Sequence, residues 1–220
     1  MKKKHNVHNL IILDESGSMD SIKDFIIQGF NEIVQNAKGI EKQFPGQEHF
    51  ITLISFNGLG TKLIHFMDPV SKLEKIDDEK YQPDATTPLY DAMGFGFKKL
   101  EQVLKNRKDF NVLVTVFTDG MENASREYSG NDIKKLIERL KPERWTFTYI
   151  GTDHDVEKFA GSISITNIMF YNKSEKGVKE MFEKEHSARH RYSSKISAAE
   201  DTANDFYKED DEDDVKDEKS

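Results

Sequence analysis

Short apolar runs of strand length alternate with longer amphipathic stretches of helical period along most of this chain, and that alternation constrains its fold more than any other feature. Residues 7–13 and 112–118 read as near-continuous apolar strands. The stretch 19–37 repeats apolar side chains at Ile22, Phe25/Ile26, Phe30, Ile33/Val34 and Ala37, one face of a helix that Asp20 or Ser21 would cap. A second stripe runs through Leu89, Ala92/Met93, Phe97, Leu100 and Val103/Leu104, with Pro88 suited to the first helical position. Ser129 and Asp132 are spaced as a capping box for a helix over 131–140. Strands are expected at 145–150 and 165–171, and helices at 153–160 and 174–190. Residues 49–56 and 62–67 read as a hairpin with a slightly long turn over 57–61. Such a chain predicts an α/β fold: a doubly wound, Rossmann-like, mostly parallel sheet with helices on both faces and one antiparallel edge strand.

Charge sets the domain limits and excludes some partners. The chain has 220 residues and a net charge of −8; residues 200–220 hold eleven acids against three lysines, the whole of that charge. The preceding body is balanced, which argues against nucleic acid as a partner. The boundary read from this shift is a domain over 1–195 and an acidic disordered tail over 196–220. No cysteine is present, which excludes disulfides, thiolate metal sites and cysteine nucleophiles. The apolar run 10–13 is too short for a signal sequence, and no run is long enough for a membrane span. A cytoplasmic protein with no membrane partner is expected.

In doubly wound sheets, ligands sit beyond the carboxyl ends of the strands, where strand order reverses. The segments that follow or face those ends are rich in oxygen. Asp14-Glu15-Ser16-Gly17-Ser18 follows the first strand, Asp119-Gly120 follows the strand 112–118, and Asp84-Ala85-Thr86-Thr87 precedes the Pro88 helix. Two carboxylates with several hydroxyls suit a hard cation such as Mg²⁺, which takes six oxygens at about 2.0–2.1 Å and keeps some waters. Each segment alone also has an ordinary reading, as a helix cap or a turn.

The strings Asp14-Glu15-Ser16-Gly17-Ser18-Met19, Thr86-Thr87-Pro88-Leu89-Tyr90-Asp91-Ala92 and Phe117-Thr118-Asp119-Gly120 together resemble the metal-ion-dependent adhesion site of a von Willebrand factor type A domain. Residues 122–127 and 149–152 resemble small stand-alone bacterial and phage members of that family. The resemblance spans roughly residues 7–190. It implies a metal site at Asp14, Ser16, Ser18, Thr87 and Asp119. Ser16, Ser18 and Thr87 would be direct ligands, and the two aspartates would act mainly through water. The cofactor would be Mg²⁺, with Mn²⁺ or Ca²⁺ as substitutes. A carboxylate of a protein partner would complete the shell, and the domain would not be an enzyme. Glycine often precedes the threonine in the family; here Thr86 stands there, and Thr86 is a substitute for Thr87 in the ligand role. Asp84 is a further carboxylate near the site.

Other readings compete. The cation would serve structure alone in a metal-stabilised adaptor. A metal-dependent hydrolase would need a base beside Ser16 or Ser18, and His154 is the histidine placed for it. The chain has no G-x-S-x-G elbow and no phosphate loop, and Ser16 stands where a phosphatase of the haloacid dehalogenase type needs its second acid. His186 and His190 have ligand spacing on a helix, without an accompanying H-E-x-x-H pattern. Arg189, His190 and Arg191 form a short basic run. Phe95 lies off the core stripe of its helix, a position open to a partner. The acidic tail would supply carboxylates able to mask the site.

Overall fold

The structure, a computed structural model, describes residues 4–152 and 155–208. Its elements are β1 (His5–Asp14), α1 (Lys23–Gln43), β2 (Gln47–Asn57), β3 (Gly60–Pro69), α2 (Leu89–Leu104), β4 (Phe110–Phe117), α3 (Gly130–Leu140), β5 (Trp145–Gly151), α4 (Val156–Ser162), β6 (Asn167–Phe170) and α5 (Glu175–Ala198). The six strands form one sheet in the order β3-β2-β1-β4-β5-β6. Among the described residues only the β2–β3 pair is antiparallel. The doubly wound α/β expectation is met, including the antiparallel edge strand.

Period-two alternation divides the core between the faces of the sheet. On β1, Leu10 and Ile12 face α2, α3 and α4, packing with Leu89, Phe97, Ile133 and Ile137. Ile11 and Leu13 face the other way, onto Phe30 of α1 and Met181 and Phe182 of α5. Burial on both sides explains why β1 and β4 read as unbroken apolar runs; every residue of β4 is buried. Helices α1 and α5 meet at Gly29, where the Phe182 ring occupies the space a Cβ would take.

Several boundaries differ from the sequence reading. A 3-10 turn over Gly17–Ile22 precedes α1, so the helix starts at Lys23 and neither Asp20 nor Ser21 caps it. The backbone there is tied elsewhere: Gly17 N–H donates to the Ala85 carbonyl at 3.1 Å. The hairpin turn contracts to Gly58-Leu59, because Asn57 Oδ1 accepts from Leu59 N–H at 3.0 Å and Gly60 takes φ +146°. Pro88 sits one position before α2. Strand β3 is irregular: its pairing with β2 shifts register twice near Leu53, and Met67 adopts φ +53°.

The C-terminal boundary is corrected most. Helix α5 runs eight residues past His190, to Ala198, and stops at Ala199 in the left-handed conformation. The chain then crosses the amino-terminal edge of the sheet as a strap. Thr146 donates to the Thr202 carbonyl at 2.8 Å, Asn111 to Thr202 Oγ1 at 3.0 Å and Asn167 to the Ala203 carbonyl at 2.9 Å. Phe206 is buried against Val7, Leu113, Ala188 and Tyr192. The chain therefore stays packed on the body to Lys208, past the expected limit at 195, held by these bonds and by Phe206 and Tyr207, two aromatics that the surrounding acids concealed. The acidic run 209–220 lies outside the described residues. No helix among the described residues is long and apolar enough to cross a membrane.

Candidate metal centre

Strand order reverses between β1 and β4, and the segments that follow them meet at their carboxyl ends, the position where doubly wound sheets take ligands. Asp14 is the last residue of β1 and is fully buried. Its Oδ1 accepts from Ser16 N–H at 2.7 Å and its Oδ2 from Thr118 Oγ1 at 2.5 Å. Thr118 also accepts from Gly120 N–H at 3.1 Å, which shapes the turn after β4. Ser16 and Ser18 hydroxyls lie 3.1 Å apart, and Ser18 donates to Asp119 Oδ1 at 2.6 Å. Asp14, Ser16, Ser18 and Asp119 thus form one hydrogen-bonded cluster with Thr118. Ser16 caps the 3-10 turn by position only, since its side chain makes no capping bond.

Thr87 enters from the α2 side. Its N–H donates to Asn123 Oδ1 at 2.9 Å, and its carbonyl accepts from Asn123 N–H at 3.2 Å. A Cβ placed on Gly120 would lie 3.5 Å from Thr87 Oγ1, 3.8 Å from Ser18 Oγ and 3.9 Å from Asp14 Oδ2. Three oxygens from two separate segments therefore surround one small space above Gly120, on a third. Asp14, Ser16 and Thr87 are buried while Ser18 is exposed, so the cluster has an inner wall and an outer rim.

Electrostatics favour a cation in this cluster. Burial, aided by the Asp119 charge, pushes the Asp14 carboxyl up to about 6, against hydrogen bonds from Thr118 and Ser16 that pull it down. The Asp119 carboxylate is also buried, with Lys173 as its ion-pair partner. Two desolvated carboxylates set among neutral hydroxyls form a donor set suited to a hard divalent ion. Among the described residues no group of three or more His, Asp or Glu is arranged to hold a metal.

Asp84 is not a third carboxylate of the cluster. It is exposed, and its Oδ1 accepts from Ala85 N–H at 2.7 Å, holding its own loop. Neither His186 nor His190 is part of a metal cluster; His190 Nε2 bonds Gln43 Oε1 at 2.7 Å. Arg189 leaves the expected basic run altogether. It is buried, pairs with Glu185 at 2.7 Å and bonds Asn9 and Thr115 at 2.8 Å each, pinning α5 to the sheet. Phe95 is about one-third exposed, with the Lys99 ammonium 6.0 Å from its ring. His154 lies outside the described residues.

Supporting residues missed in the sequence are Thr118, Glu15, Glu122 and Lys173. Glu15 is buried, pairs with Lys62 at 2.7 Å and accepts from Gln82 N–H at 2.5 Å, linking β3 and the 80–84 loop to β1. Glu122 Oε2 accepts from Tyr90 N–H at 2.9 Å, capping α2 from another segment. Asp91 answers from α2 by accepting from the N–H groups of Arg126, Glu127 and Tyr128 at 2.8–2.9 Å. For Glu15 and Glu122 an acid in a turn-like context was the available signal; the distant partners of all four did not show.

A doubly wound sheet with an oxygen-rich cluster at its switch point defines a class of ligand-binding α/β domain. A family model, the von Willebrand factor type A domain, matches residues 10–192, and the chain belongs to that family. Among solved structures, the VWA domain of SpRpn10 is similar, with a TM-score of 0.50 and 12% identity over 82% of this chain and 95% of that one; the likeness shows the fold. No curated protein matches the chain. Domains of this family are typically protein-interaction modules and generally non-catalytic.

Proposed function

We propose that this chain is a cation-dependent protein-binding module. Ser16, Ser18 and Thr87 would hold a divalent ion, Mg²⁺ or in its place Mn²⁺ or Ca²⁺, and Asp14 and Asp119 would supply the negative field behind them. A bound ion contributes a Lewis-acidic position open to a carboxylate of a partner protein. The observation that carries this reading is the convergence of Thr87, Ser18 and Asp14 oxygens on the space above Gly120. The exposed rim at Ser18 gives a partner access. The cysteine-free composition suits a cytoplasmic setting, and the acidic run 209–220 suits a solvated extension.

The purely structural reading has less support. The loops are already joined by protein bonds, from Gly17 N–H to the Ala85 carbonyl and from Asp84 N–H to the Glu15 carbonyl at 2.9 Å. The hydrolase reading also lacks support, because the Ser16 and Ser18 hydroxyls engage each other and Asp119.

Calorimetric titration of Mg²⁺, Mn²⁺ and Ca²⁺ into metal-stripped protein tests the proposal beside a Ser16→Ala/Ser18→Ala variant. One-site binding that the variant loses is expected, and a metal-dependent pull-down would then lead to the partner. Equal heats from both proteins, or none from either, would overturn it.

A further inference from the structure

The site contains a cation of its own. Lys173 lies between β6 and α5, next to Ser174, whose hydroxyl accepts from Gly177 N–H at 3.1 Å and caps α5. The Lys173 ammonium reaches back to the cluster, pairing with Asp119 Oδ2 and donating to the Ser18 carbonyl. Both contacts fall on residues of the proposed metal cluster. The lysine side chain is 33% exposed, while the Asp119 side chain is 0% exposed. A half-open, flexible ammonium therefore neutralises a buried carboxylate, and solvent can receive it if it leaves.

We propose that Lys173 is a built-in competitor of the divalent ion, setting the affinity of the site by occupying Asp119 and Ser18 until a metal displaces it. This rests on the metal-site reading above. The argument is one of charge. Asp14 and Asp119 supply two negative charges, and the ammonium cancels one of them. A divalent ion arriving among Ser16, Ser18 and Thr87 would meet a positive charge already seated on Asp119 Oδ2, so the two cations oppose each other. Leaving Asp119 is costly for the lysine alone, because an unpaired buried carboxylate is strongly unfavourable. The exchange becomes favourable only when a divalent ion replaces its charge. Competition of this kind is reciprocal: whatever Lys173 takes from metal affinity, metal takes from the Lys173 contact. The lysine lies at the amino end of α5, so its release also frees the segment that leads into that helix.

The test uses the full chain. Mg²⁺ and Mn²⁺ are titrated by calorimetry into metal-stripped wild type, Lys173→Met and Lys173→Arg, and the melting temperature of each is measured with and without metal. For Lys173→Met the two readouts are expected to move in opposite directions. Its metal affinity should rise on the order of tenfold, while its metal-free form melts at a lower temperature because Asp119 is left unpaired. Lys173→Arg, which keeps the charge, should stay within about threefold of wild type in affinity. A lysine of merely structural importance would lower affinity and melting temperature together, so equal or weaker metal binding by Lys173→Met overturns the inference. If Lys173→Met does not fold without metal, Lys173→Gln takes its place under the same criterion. Absence of binding to all proteins at millimolar metal would remove the metal-site reading and this inference with it. Equal, measurable affinities would remove this inference alone.

Discussion

At the scale of single residues, the cluster was legible where a side chain's role follows from its own place on an element. Asp14 ends β1, Asp119 follows β4, and Ser16 and Ser18 flank the turn at Gly17; alternating oxygens after an apolar run marked the region, and the joint resemblance of the three strings to a family site singled out the residues. Thr118, Glu15 and Lys173 were hidden because each acts on a partner far away in sequence: Thr118 on Asp14, Glu15 on Lys62, Lys173 on Asp119. Gly120 was visible only as a turn residue, yet its missing side chain leaves the space on which three oxygens converge. A methyl there would touch Thr87, Ser18 and Asp14 at 3.5–3.9 Å, ordinary contact distances that the fold tolerates. Gly120→Ala is therefore expected to change unfolding free energy by less than about 1 kcal/mol while weakening Mg²⁺ binding at least tenfold. Calorimetry beside a urea melt checks both halves, and undiminished binding would show that the ion sits elsewhere.

At the scale of elements, the two apolar stripes marked the buried faces of α1 and α2, Val103 excepted, whereas helix ends were set by contacts the stripes do not encode. Helix α1 starts late because the loop before it is tied to Ala85, and α5 runs long because Tyr192 and Ser193, beyond the expected end, are buried. The reciprocal caps of Glu122 on Tyr90 N–H and of Asp91 on the 126–128 backbone fasten α2 to the segment after β4. That pairing sets the position of Thr87 relative to Asp119. The α1–α5 contact has a sharper requirement. Any Cβ at Gly29 would fall 1.9 Å from the Phe182 ring, so Gly29→Ala must push the helices apart or turn the ring. A loss of about 1–3 kcal/mol in unfolding free energy is expected, and Phe182→Leu should restore part of it in the double variant. Independent, additive losses would refute this account of the packing.

At the scale of the whole molecule, acid should weaken the fold through two histidines. His8 is 1% exposed, with neither ring nitrogen hydrogen-bonded and its ring stacked on Phe50 at 5.1 Å. Burial, with the charge of Arg107 and then His5, lowers its pKa to about 4. Burial, with Arg189 and then His5, does the same to His49. The unfolded chain binds these protons near pH 6.5 and the folded chain only near 4, so stability is full above 6.5 and falls across that window. At pH 5 each histidine removes roughly 2 kcal/mol. In metal-free protein Asp14, whose carboxyl is pushed up to about 6, has the opposite sign and returns roughly 1–2 kcal/mol. Urea midpoints measured at pH 7.5 and 5 should show a net fall, and His8→Phe should reduce it; an unchanged slope in the variant would acquit His8. The strap over residues 200–208 adds to this larger picture, since composition suggested solvent where Phe206 and Thr202 in fact close the amino-terminal edge of the sheet. The opposite hazard lies at the lateral edge. Among the described residues strand β3 has no neighbour on its outer side, which in a flat strand would invite another chain to extend the sheet. Its two register shifts, the left-handed Met67 and the half-exposed Lys62 break up the straight ladder that such an intruder needs. The same irregularity that makes β3 a poor strand thus makes it a poor template for strand addition at that edge.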